Sequence, residues 1–118
     1  MKYIAVIYPG DTMKTYAIQD GRTPTLEWLQ KQVGGHIEIV RLRQTPGIVL
    51  VVNEEGLLFG LQKNEAASDL YDGQIVGNAV VMREVDCNLA GIDINDLATM
   101  AAWTASTVPG RKIEEEDE

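Results

Sequence analysis

The sequence predicts an α+β fold, an antiparallel or mixed sheet built from hairpins with two to three helices. Three observations carry this. Apolar runs come in pairs separated by turn residues, at 2–8 with 13–19 and at 48–52 with 57–61. A single strong 3.6-residue stripe occurs at Leu26, Leu29 and Val33. Strands and helices do not alternate strictly, which disfavours a doubly wound sheet.

The segment KYIAVIY (2–8) is β-branched and aromatic, and Pro9-Gly10-Asp11 then supplies turn chemistry. MKTYAIQ (13–19) is the return strand. Thr23 is placed to cap a helix whose first position takes Pro24, and Gly34-Gly35 closes the last turn. From His36 the period changes to two, with Ile37 and Ile39 on one face and Glu38 and Val40 on the other. Thr45-Pro46-Gly47 turns the chain into IVLVV (48–52), a strand apolar on both faces. Asn53-Glu54-Glu55-Gly56 turns it again, and LLFGL (57–61) is expected as the hairpin partner.

Asn64 caps a short helix over EAASDLY that stops before Asp72-Gly73. Gln74–Val85 is expected to be one strand, with Gly77 marking a bulge or a close backbone approach. Asp93-Ile94-Asn95-Asp96 opens a last helix running to about Ser106. The expected order is therefore β-β-α-β-β-β-α-β-α. Residues 1–110 form one domain, and 111–118 form an acidic disordered tail.

The chain has 118 residues with 18 acids and 10 bases, net −8, and a mean hydropathy of −0.10. That size supports an ordinary core without staples. One cysteine excludes an internal disulfide framework and a cysteine-built zinc cage. The acidic balance disfavours a binder of the nucleic-acid backbone, which needs clustered Lys and Arg. Residues 111–118 alone carry 5 acids and 2 bases, and the remaining 13 acids in 110 residues are far sparser than a DNA mimic requires. No run suits a secretory leader or a membrane span, so a cytoplasmic protein without membrane partners is expected.

Catalytic residue types are few. His36 is the single histidine and stands at a strand start without an evident orienting partner. Cys87 lies beside Asp86, whose charge works against a nucleophilic thiolate. Neither GxGxxG nor GxxxxGK[ST] occurs, and Asp93–Asp96 lacks the glycine and closing glutamate of a calcium loop. The chain reads as a non-enzyme that needs no cofactor and holds no metal.

What remains is a set of polar groups beside tight turns. Arg41 and Arg43 share one face if the strand continues that far. Lys63 and Asn64 stand at a helix start, where amides favour an anion. Trp28, Tyr71 and Trp103 offer aromatic faces for a base. The candidate ligand-binding residues are Arg41, Arg43, Lys63, Asn64, His36, Gly35 and Tyr71.

Four motifs occur in order: LQKQVGGHIE (29–38), VNEEG (52–56), NEAAS (64–68) and IVGNA (75–79). Together, over about residues 25–82, they resemble a small domain family of unknown function found in phages, plasmids and bacteria. The resemblance implies an accessory protein of a mobile element rather than a known activity. On that footing the expected role is a homo-oligomeric sponge that sequesters a small nucleotide signal of host defence. The alternative is an acidic decoy or interaction module that inhibits a host DNA-binding or defence protein.

Overall fold

A computed structural model describes residues 2–10, 12–18, 23–93, 95, 96, 98 and 113–115. The first hairpin forms as the turn residues dictate: β1 (Lys2–Tyr8) pairs antiparallel with β2 (Thr12–Ile18), from Lys2 opposite Ile18 to Tyr8 opposite Thr12. Further along the chain come α1 (Leu26–Val33), β3 (Ile37–Arg41), β4 (Ile48–Asn53), α2 (Glu65–Tyr71), β5 (Ala79–Val85), β6 (Asn88–Ala90) and β7 (Ile113–Glu115). The sheet order is β3-β4-β5-β1-β2-β7, with β6 on β5. The architecture is α+β, antiparallel from β1 to β6, and β7 adds in parallel to β2. This last pairing lies inside the segment read as a tail from its charge run.

The centre of the sheet is buried on both faces. On one side Val49, Val51, Val80 and Met82 pack with Leu29 and Val33 of α1. On the other, Leu50, Val52, Ala79 and Val81 pack with Ala66, Ala67 and Leu70 of α2. Every residue of β4 is buried, as the apolar run Ile48–Val52 requires, and the terminal Asn53 is buried with it. Each such aliphatic side chain contributes about 1.5–3 kcal/mol by leaving water.

Several expectations are corrected. Residues 57–61 form no strand, because β3 and β5 occupy both ladder edges of β4. The chain instead winds through successive turns over 54–60, leaving Leu57, Leu58 and Phe59 59–76% exposed. Helix α1 is capped by Thr25 rather than Thr23: the Thr25 hydroxyl accepts from the Trp28 amide at 3.0 Å. Leu26, the first residue of the expected stripe, is consequently exposed, while Leu29 and Val33 are buried. The strand expected over 74–85 begins only at Ala79. Before it, Gly77 has φ +75°, and a Cβ there would meet Leu61 at 2.8 Å, so the backbone approaches closely where Gly77 was expected to mark it.

Strand β6 escaped the sequence reading. Its hairpin turns through Asp86 and Cys87, both at positive φ (50° and 67°), the conformation that Asn-Gly ordinarily signals. The cap read at Asp93–Asp96 is present: the Asp96 amide donates to Asp93 Oδ1 at 2.9 Å, and the Asp93 amide donates back to Asp96 Oδ2 at 3.3 Å. Most of the helix beyond it, Trp103 included, lies outside the described residues.

Asn64 ties the layers together. Its Nδ2 donates to the carbonyls of Ile7 at 2.9 Å and Gly77 at 2.8 Å, and its Oδ1 accepts from the Ala67 amide at 3.1 Å. Asn64→Ala is expected to cost about 2–4 kcal/mol in urea unfolding, from a lost cap and two stranded carbonyls. Asn64→Asp should cost more, since a carboxylate cannot donate to either carbonyl. The double change Asp86→Asn with Cys87→Gly should stabilise by up to about 1 kcal/mol, a rise of roughly 4 °C in Tm by calorimetry.

Candidate functional site

Among the described residues, α1 and α2 lie on the two faces of the sheet and leave part of it open. A cleft of about 500 Å³ lies where the end of α2 falls short of β3. Val40, Val52 and Ile75 supply its apolar lining, Tyr71 and Gln74 stand on the α2 side, and Leu57 and Leu58 lie at its lip. Three carboxylates join them: Glu38 from β3, and Glu54 and Glu55 from the turn after β4. No lysine or arginine is among the residues lining this cleft.

The turn that carries two of these acids is fixed from behind. Buried Asn53 accepts from the Glu55 amide through Oδ1 at 2.7 Å and donates through Nδ2 to the Val33 carbonyl at 3.0 Å. The Glu54 amide donates to the His36 carbonyl at 2.8 Å. A Cβ on Gly35 would stand 2.9 Å from Asn53 Nδ2, so Gly35 leaves the room that this asparagine occupies. Gly35 and His36 thus bear on the cleft through backbone and space.

The other candidate residues do not converge. Strand β3 ends at Arg41, so Arg43 falls in the following bend rather than on a shared strand face. Arg41 makes a two-pronged ion pair with Glu84 of β5, at 2.8 and 2.9 Å, on the α1 side of the sheet. Lys63 is exposed and pairs with Glu65 at 3.2 Å. Asn64 is fully buried and its amide is committed to backbone groups, which removes it from ligand contact. Trp28 packs edge-on against Tyr16, with ring centroids 5.5 Å apart, as part of the core. Tyr71 is the one candidate ligand-binding residue that lines the cleft.

Taken singly, Glu38, Glu54, Glu55, Leu57 and Leu58 carry no evident ligand signal in the sequence. The acids read as turn and solvated residues, and the two leucines as half of a hairpin. A usable signal was present in Glu-Glu-Gly followed by three apolar residues, once β4 is recognised as already paired on both edges. A smaller cleft of about 260 Å³ includes Lys2 and Arg83, but Arg83 is held by Asp96 at 2.7 Å. Among the described residues no group of three or more His, Cys, Asp or Glu is arranged to hold a metal ion, and no helix is long and apolar enough to cross a membrane.

The hydrogen bonds from Arg41 hold the Glu84 carboxyl below the usual carboxylate range, and Glu84 in turn raises Arg41. The Asp96 amide likewise lowers Asp93. Both carboxyls have lower pKa values folded than unfolded. The stability they add is therefore complete above the unfolded range and is lost as pH falls through the folded values. The urea midpoint should hold from about pH 7 to 5 and decline below about pH 4. Glu84→Gln should lower the midpoint at pH 7 and shrink its difference from the parent as the pH drops.

Residues 1–102 match the family model described as a domain of unknown function, DUF3846. The match extends beyond the four motifs to take in the first hairpin. No curated protein and no solved structure matches the chain.

Proposed function

We propose, from the premise that the chain belongs to the DUF3846 family of domains of unknown function, that it is a protein-interaction module whose cleft takes a basic, partly apolar segment of another protein. One observation carries the reading: three acidic residues, Glu38, Glu54 and Glu55, line a partly apolar cleft, while Arg41, Arg43 and Lys63 lie outside its lining. Such a site attracts lysine or arginine side chains and repels phosphate. Leu57, Leu58 and Phe59 extend it with an exposed apolar patch, a feature that marks interaction surfaces. Neither a nucleophile nor a metal set is needed for such a role. The partner class is a host protein with a basic surface, which a mobile-element accessory would occupy and inhibit.

The alternative of a sponge for a small nucleotide signal draws on Tyr71, whose ring on the cleft wall is a place for a base to stack. Its phosphates would have to be held elsewhere.

The test is fluorescence anisotropy with a labelled peptide of mixed lysine and leucine, beside a thermal-shift panel of cyclic nucleotides. Saturable binding of the peptide that weakens with salt is expected. The double variant Glu54→Gln, Glu55→Gln should weaken it about three- to tenfold, and Arg41→Ala should leave it unchanged. A nucleotide that raises Tm and loses that effect in Tyr71→Ala, with no peptide binding, would turn the assignment to the sponge.

A further inference from the structure

Strand β3 ends the sheet: among the described residues only β4 pairs with it. The ladder bonds identify which of its groups face outward. The Glu54 amide donates to the His36 carbonyl, and the Leu42 amide donates to the Ile48 carbonyl. Antiparallel pairing alternates hydrogen-bonded and non-bonded pairs, so even-numbered residues of β3 bond to β4. The N–H and C=O groups of Ile37, Ile39 and Arg41 therefore point away from the sheet. A five-residue edge of this kind, without proline or bulge, is a template for another strand.

We propose that the occupant is β3 of a second copy, paired antiparallel about a two-fold axis through Ile39. The number of hydrogen-bonded pairs and the side chains together select this register. With Ile39 opposite Ile39 of the partner subunit, Ile37 meets the partner's Arg41, and Glu38 meets the partner's Val40. All three outward-facing residues of each strand are then used, with two hydrogen bonds per opposed pair and about six in all. A slip of one pair toward the start of the strand would set Glu38 against its own copy, and a slip to the far end would oppose two Arg41 guanidiniums. Like charges directly opposite are unfavourable. The contact is isologous, so it closes as a dimer and uses the β3 edge of both copies.

The pairing joins the two halves of the fold's open side. Glu38 and Val40 line the cleft, so the axis sets two clefts side by side on one face of a continuous sheet. The two Glu38 side chains stand diagonally across the axis at roughly 7–8 Å, inside the Debye length of physiological salt. Their repulsion opposes the dimer, and added salt relieves it.

The experiment is light scattering over a concentration series of the full chain, with amide hydrogen exchange read by NMR on the same samples. The expected mass rises from monomer to dimer. The Ile37, Ile39 and Arg41 amides slow in step with it, while those of Glu38 and Val40 are protected throughout. Ionic strength should shift the equilibrium toward dimer. Ile39→Pro removes one outward N–H without touching the β3–β4 ladder, and it should remain at monomer mass with unchanged far-UV dichroism. A chain of monomer mass at every concentration overturns the proposal. So does a dimer whose three amides exchange as fast as in dilute solution, and so does one that survives Ile39→Pro or weakens with salt.

Discussion

The central strands are apolar on both faces, and the rest of the molecule answers to that. β4 carries Ile48, Val49, Leu50, Val51 and Val52 in one run, and β5 begins Ala79, Val80, Val81, Met82. Neither strand can turn a face to water without exposing several aliphatic side chains, at about 25 cal/mol per Å². One helix must therefore lie on each side, although only 8 and 7 residues of helix are supplied by α1 and α2. Helices that short are not stable alone, so they depend on the sheet as much as it depends on them. Their reach is also limited, and the area that α2 leaves uncovered beside β3 becomes the cleft.

Two buried asparagines make this arrangement specific where apolar packing alone would not. Asn64 fixes where α2 starts relative to the end of β1 and the Gly77 turn. Asn53 fixes the turn after β4 against the end of α1. Both satisfy backbone groups that secondary structure leaves over, which is what a buried amide side chain does best. Their positions also explain why two sequence features that invite a ligand reading lead elsewhere. Gly35, beside His36, makes room for Asn53, and the polar start of α2 is turned inward.

Much of the fold is legible from residue order. The first hairpin, the Gly34 stop, the buried β4 and the caps at Asn64 and Asp93–Asp96 follow from local chemistry that tertiary contacts do not override. The corrections have two sources, one in tertiary pairing and one in local backbone conformation. LLFGL has strand composition, but whether it pairs depends on which edges of β4 are free, and β5, about thirty residues later, takes the edge it would have used. β6 was missed because Asp86 and Cys87 adopt positive φ without the glycine that advertises it. The cleft was illegible for the first of these reasons: Glu38, Glu54, Glu55 and Tyr71 are brought together by sheet order, which no local pattern encodes. Arginine spacing, which is local, pointed to a phosphate site that the end of β3 at Arg41 does not build.

The pleat of β3 gives one short strand two uses. Its even-numbered side chains, Glu38 and Val40, enter the cleft, and its odd-numbered residues turn their backbone groups to the open edge. A one-residue change of register would exchange the two sets. Ladder pairing with β4 sets that register, so the strand that builds the interior also decides what the surface presents. Charge follows the same division. Arg41, on the odd set, is drawn to the α1 side by Glu84 and leaves the cleft face acidic. Removing that ion pair would free a guanidinium beside the open edge, on the face away from Glu38. The acidity of the cleft thus rests on where strand parity puts Glu38 and where the turn after β4 puts Glu54 and Glu55, more than on the chain's net charge.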